Sequence, residues 1–375
     1  MGVTETTQEL VRIASVNPGY DPTSPAESGM TAWLLAWGRT HGIETSRQEV
    51  FPGRENVIFR LRNGADTPHL LLNGHTDTVA VNDMTVPPFG GELRDDRIWG
   101  RGSADMKGPL ACMLHALLAL KEDLTSWRGT VTLACVVDEE LGFAGIRHFL
   151  TEQANFDFAL IGEPTRLEVV RGCKGCLRFF IRAHGKSAHS STPEKGASAI
   201  SAMAGAVTAL NQYFAETLTT IRHPVMGTST GSIGIIRGGS GVNIVPEFCE
   251  VLVDIRLIPG QSWEKTYAEI QRFVAIKLSG IRWEFEEPPM ADPAFYFEPD
   301  HPAVKAICTG AGRKESQVVN FSCDASKIAA RGIPCVVIGP GDIANAHTAN
   351  ESIAVAELEE GLATYIRIAQ TLLAS

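Results

Sequence analysis

The chain has 375 residues, 44% hydrophobic and 20% charged, with 33 Lys+Arg against 43 Asp+Glu for a formal net charge of −10. These are the proportions of a globular protein; the acidic balance argues against a nucleic-acid partner, whose phosphates need a basic face. No run reaches the roughly 18–20 apolar residues of a membrane span, and the length predicts two domains rather than one simple core.

In chain order, Met1 to Thr6 carries an acid and neither a basic nor an apolar leader region, so no secretory signal is expected. Residues 5–14 and 28–41 have helical spacing, broken between them by Pro18 and Pro25. Asn56–Leu61 and His69–Asn73 read as strands and Lys107–Leu120 as a buried helix. Thr130–Val137 is a strand, Ala144–Thr151 a helix and Phe158–Ile161 a strand. The middle differs: Leu177–Ala183 and Glu250–Ile258 alternate, Ala197–Tyr213 is helical, and Ile281–Glu286 is a short strand. Pro334–Ile338 is a strand and Ile353–Leu373 a long helix. Alternation of strands and helices predicts an α/β fold with a mostly parallel central sheet flanked by helices. The eight cysteines are too few for a disulfide scaffold in a chain this long; Cys112, Cys135 and Cys335 read as core, and Cys173 with Cys176 as an incidental reduced pair, which fits a cytoplasmic location.

Chemistry concentrates in five short stretches carrying His75, Asp105, Glu140, Glu163 and His347. Two imidazoles and three carboxylates suit two divalent ions, and Glu139 is a further carboxylate available as a base. His75, Glu140 and Glu163 each follow the C-terminal end of an apolar strand, where open α/β sheets bind ligands. Four of the five come before the middle segment and one after it. One shared site therefore requires the chain to leave and re-enter: a discontinuous catalytic domain of residues 1–172 and 288–375, with an inserted α+β domain of residues 173–287. The Gly238–Gly241 loop lacks the Gly-Lys-Ser/Thr ending of a phosphate loop.

Gly-His-Thr-Asp-Thr-Val at 74–79, Gly-Arg-Gly-Ser-Ala-Asp-Met-Lys-Gly at 100–108, Asp-Glu-Glu at 138–140 and Gly-Glu-Pro-Thr at 162–165 are ordered blocks. They resemble the signature segments of the dizinc amidohydrolase and peptidase family of acetylornithine deacetylase and succinyl-diaminopimelate desuccinylase. Aminoacylase and the glutamate carboxypeptidases are relatives. The resemblance implies that His75 and Glu163 hold one metal, that Glu140 and His347 hold the other, and that Asp105 bridges them, with a cis peptide at Asp105–Met106. It implies zinc first, with cobalt or manganese as alternatives. Asp77 would hydrogen-bond the far nitrogen of His75, and Glu139 would be the general base that takes a proton from a metal-bridged water. His189, in Gly185–Ser191, would stabilise the oxyanion, reaching the partner's site in a homodimer formed through residues 173–287, to which the resemblance assigns a lid or dimerisation role. Asn243 and Arg256 would contact substrate carboxylate and carbonyl groups, although Arg256 also stands two residues from Asp254 on one strand face.

Ser190–Pro193 resembles the deacetylases, whereas Ser322–Ala325 and His347–Glu351 resemble the desuccinylase and peptidase branches. The first expectation is thus a hydrolase that cleaves the amide of an N-acyl-amino acid. A dipeptidase or glutamate-type carboxypeptidase comes second, and a catalytically silent binder third. The small-molecule substrate would be an N-acyl-amino acid or a dipeptide.

Overall fold

In the computed structural model, which describes residues 1–374 other than 65, 154, 278 and 279, the predicted apolar runs become strands β2 (Arg54–Asn63), β3 (His69–His75), β4 (Gly129–Val136), β5 (Phe158–Ile161) and β7 (Cys335–Val337), joined by β1 (Glu44–Phe51) and β6 (Val169–Cys173). Side by side they run β1-β2-β4-β3-β5-β7-β6. The middle four, β4, β3, β5 and β7, are parallel, whereas β1, β2 and β6 join antiparallel. β4 is buried along its whole length, as a strand covered on both faces must be. The covering helices include Val3–Arg12, Ser28–His41, Gly108–Glu122 and Val355–Leu372. Leu70, Leu72, Val131, Leu133, Leu110, Leu117 and Tyr365 share the resulting core.

The chain divides into two compact units. One comprises Met1–Gly172, Phe297–Gln317 and Cys323–Ser375; the other comprises Cys173–Tyr296 and Val318–Ser322. The second unit has its own antiparallel sheet, in which Phe248–Leu257 pairs with Thr230–Gly238 on one side and Gly175–His184 on the other. Strict alternation of buried residues along Phe248–Leu257 turns one face toward the helices Ala199–Tyr213 and Trp263–Lys277.

Among the sequence boundaries that move, two follow from strand pairing. The chain re-enters the first unit at Phe297 rather than near residue 288, because Met290–Asp292 pairs with Gly175–His184 in the second unit's sheet. The final helix begins at Val355 rather than Ile353, because Ser352–Ala354 is a strand paired with Arg97–Trp99. Ile353 sits fully buried opposite Ile98, and the backbone N–H of Ala354 donates to Glu357 at 3.0 Å, which starts the helix there. All eight cysteines are free thiols and buried. Among the described residues no helix is long and apolar enough to cross a membrane.

Candidate metal centre

The four parallel strands deliver their C-terminal ends to one place. β3 ends at His75. Glu139 and Glu140 follow β4, Glu163 follows β5, and His347 follows β7 across a loop, itself in the left-handed region at φ 61°. Asp105 comes from the kinked segment Ser103–Lys107 that leads into helix Gly108–Glu122, and the Asp105–Met106 peptide is cis. The glycines before His75 and Glu163 have a steric purpose. A Cβ at Gly74 or Gly162 would stand 2.7 or 2.5 Å from the Met106 methyl, so glycine at both positions lets Met106 pack beneath the two strand ends. Met106 Sδ also accepts the backbone N–H of His75 at 3.3 Å.

Asp105 is at the centre. Its Oδ1 lies 3.0 Å from His75 Nε2 and its Oδ2 lies 3.3 Å from His347 Nε2, so each carboxylate oxygen serves a different imidazole. Glu163 Oε1 lies on the His75 side, 4.0 Å from Nε2, and Glu140 lies on the His347 side, at 3.1 Å from Nε2. Donor atoms of His75, Asp105 and Glu140, and of His75, Glu139 and Glu163, gather within 4.8 Å of one another.

The electrostatics are those of a donor set short of positive charge. Burial, reinforced by the neighbouring Glu163, pushes the Glu139 carboxyl well above the usual range; burial and Asp105 do the same to Glu163. Burial carries Glu140 up to about 7, against the pull of its hydrogen bond with His347. Asp105 goes the other way: burial would raise it, but hydrogen bonds with His347 and His75 hold it below the carboxylate range. Hydrogen bonds to Asp105 and Glu140 push His347 up to about 10. For His75, burial acts downward and is outweighed by the bond to Asp105 and the Glu163 charge. Glu163 Oε1 is moreover buried with no hydrogen-bond partner among the described residues, at a separation from His75 beyond hydrogen-bond range. A divalent cation on each side of Asp105 would satisfy that oxygen and neutralise the clustered carboxylates, and mixed imidazole and carboxylate donors suit zinc, cobalt or manganese.

Asp77 meets His75 differently from the sequence expectation. His75 Nδ1 lies 3.0 Å from the backbone carbonyl of Asp77 and 3.6 Å from its carboxylate, so the hydrogen bond goes to the main chain. A carbonyl only accepts, so Nδ1 carries the proton and Nε2 is the nitrogen presented to Asp105. The Asp77 carboxylate is occupied elsewhere: it accepts the backbone N–H groups of Glu139 at 3.0 Å and Glu140 at 3.2 Å, and the amide of Asn17 at 2.8 Å. Asn17 donates as well to Asp138 at 3.0 Å, and Arg54 links Asp138 to the buried Glu27. Asn17, Glu27 and Arg54 lie in no motif, so nothing in the sequence marks them. Asp138 had been visible only as part of a block.

His189, Asn243 and Arg256 belong to the second unit. His189 is exposed, on a two-residue strand paired with Ile244–Val245, and its Nδ1 accepts the backbone N–H of Ser191 at 3.1 Å. Its proton is therefore on Nε2, the form that can donate to an oxyanion. Asn243 lies beside it, accepting the backbone N–H of Ser190 at 2.9 Å through its own carbonyl. Arg256 is engaged with Asp254, Nε to Oδ1 at 2.8 Å, and Arg178 shares that carboxylate at 2.6 Å.

Residues 71–371 match the model of Peptidase family M20/M25/M40. An acetylornithine deacetylase of Proteus mirabilis is 33% identical over 362 residues, covering 94% of this chain and 92% of its own. An N-formyl-4-amino-5-aminomethyl-2-methylpyrimidine deformylase of Bacillus subtilis is 26% identical over 397 residues, covering 96% and 93%. The crystal structure of an M20 family metallo-carboxypeptidase from Sulfolobus solfataricus superposes with a TM-score of 0.82 at 18% identity, covering 99% of both chains, which shows a shared fold.

Proposed function

The chain belongs to peptidase family M20/M25/M40 and is a hydrolase of that family, and we propose that it cleaves the amide bond of an N-acyl-amino acid, of the deacetylase or desuccinylase type, with two divalent cations. The observation that carries this reading is the division of Asp105 between two imidazoles, one oxygen to each. His75 and Glu163 would hold one cation, Glu140 and His347 the other, and Asp105 both. Bound there, the ions would acidify water toward a pKa of about 7 and polarise the substrate carbonyl.

The chain's own groups supply the rest. Glu139 would take the proton of the attacking water on a carboxylate oxygen and hand it to the nitrogen of the leaving amine. Its burial favours the protonated form, which suits a group that accepts a proton and then releases it. Asp77 holds the backbone of Glu139 and Glu140 and fixes the tautomer of His75. The Nε2 proton of His189 is suited to the developing oxyanion, a contact worth about 3 kcal/mol where it is made. Asn243 and Arg256 are proposed for the substrate's carboxylate and carbonyl, which for Arg256 requires sharing its guanidinium with Asp254. The second unit is proposed to mediate a homodimer, and the protein to act in the cytoplasm.

The test is turnover on a panel of N-acetyl- and N-succinyl-amino acids and dipeptides with added zinc, cobalt or manganese. Metal-dependent release of a free amino acid from an N-acyl substrate is expected. Turnover confined to dipeptides would replace this reading with the peptidase one.

A further inference from the structure

The segments that carry His75, Asp105 and His347 are far apart in the chain, and a single buried ion pair joins all three. Arg101 is 4% exposed and Glu351 0%. Arg101 Nη1 donates to Glu351 Oε2 at 2.7 Å. The opposite oxygen, Oε1, accepts the backbone N–H groups of Ala104 at 3.0 Å and Asp105 at 3.1 Å, the second being the main chain of the central carboxylate itself. Arg101 reaches further: Nη1 also donates to the carbonyl of Thr348 at 3.4 Å, next to His347, and Nε to the carbonyl of Ala80 at 3.1 Å, at the end of the His75 segment. Glu351 is itself anchored. Its carbonyl accepts the N–H of Gly100 at 3.1 Å, and the residue after it begins the strand paired with Arg97–Trp99.

A buried ion pair is a poor way to gain stability, because desolvating both charges offsets their attraction. What this pair adds is geometry: a rigid carboxylate and a planar guanidinium fix three loops at hydrogen-bond precision. We infer that Arg101 and Glu351 are positioning residues for the metal centre, holding the Asp105 main chain against the Ala80 and Thr348 carbonyls so that one carboxylate can serve two cations. The inference rests on the dinuclear reading above.

Glu351→Gln keeps an oxygen for the two N–H groups but turns an amide NH2 toward Arg101, a donor against a donor. Arg101→Lys keeps the charge but has one nitrogen where the guanidinium uses two, so it cannot hold Glu351, Ala80 and Thr348 together. Cobalt titration of the metal-stripped protein, followed by its visible absorption and by calorimetry, reads the site without turnover. Wild type is expected to take up two ions. Each variant should bind at least one of them about 10–100-fold more weakly, with a changed cobalt spectrum, while its far-UV circular dichroism stays that of wild type. A folded Glu351→Gln that takes both ions with wild-type affinity and spectrum overturns the inference. Should Glu351→Gln not fold, Arg101→Lys decides on the same readings. Wild type taking fewer than two ions overturns the dinuclear reading, and this inference with it.

Discussion

In the proposed mechanism Asp105 holds charge and Glu139 moves protons. Glu139 is buried, is grouped with His75 and Glu163, and is tethered by its own backbone N–H to Asp77. Replacing it with Ala is expected to leave metal uptake at two ions and to lower kcat by about 10²–10⁴-fold. Retained turnover would remove it from the base role. The cluster's proton affinities make a second prediction. Glu140 stands at about 7 when folded against an ordinary 4.5, so the native state keeps a proton that the unfolded chain releases, and stability falls as pH rises across that window. His347 stands at about 10 against 6.5, so its contribution is complete below 6.5 and lost as pH rises through 10. Asp105, held low, contributes stability that is lost only in acid. The metal-free chain should therefore lose thermal stability steadily from about pH 5 to pH 9, and zinc, which competes with these protons, should flatten the decline. A Tm that is flat with pH in the metal-free chain would contradict this.

Gly339, just past β7, packs so closely on the end of β5 that a Cβ would stand 2.3 Å from the Gly162 carbonyl oxygen and 2.6 Å from that of Glu163. Main-chain atoms cannot swing aside, so Gly339→Ala should destabilise the fold by about 1–3 kcal/mol and weaken metal binding by displacing Glu163. Denaturant unfolding with a metal titration checks both. A variant of unchanged stability and affinity would mean that the strands part more easily than their packing implies. Phe158–Ile161 and Ser28–His41 have the bounds that their apolar patterns announce. Glu44–Phe51 was not legible: it is a mostly exposed edge strand of polar residues, paired on one side only, so burial imposes no period on it. Thr230–Gly238, another edge strand, is interrupted by glycines. In the site, the segments that carry the candidate ligands were legible because each is a compact local block. The groups behind them were not. Asn17 lies 60 residues from Asp77 and 121 from Asp138, and contacts of that range leave no local trace. The main-chain hydrogen bond of His75 was equally hidden, since every residue has a carbonyl to offer.

For the whole molecule, the candidate ligand stranded after a long gap is explained by a fold in which the chain leaves the first unit at Gly172, returns at Phe297 and, after a short second excursion at Val318–Ser322, stays in it to the end. The homodimer proposed for the second unit predicts elution at twice the chain mass in gel filtration. A fully active monomer would remove His189 from any role across a dimer. The proposed catalysis by two cations that Asp105 shares is open to one decisive measurement: stripping the protein of metal and following N-acyl-amino acid turnover as zinc is returned in steps. No turnover is expected without metal, and a maximum is expected at two ions per chain; full activity in the stripped protein, or saturation at one ion, would rule the dinuclear mechanism out.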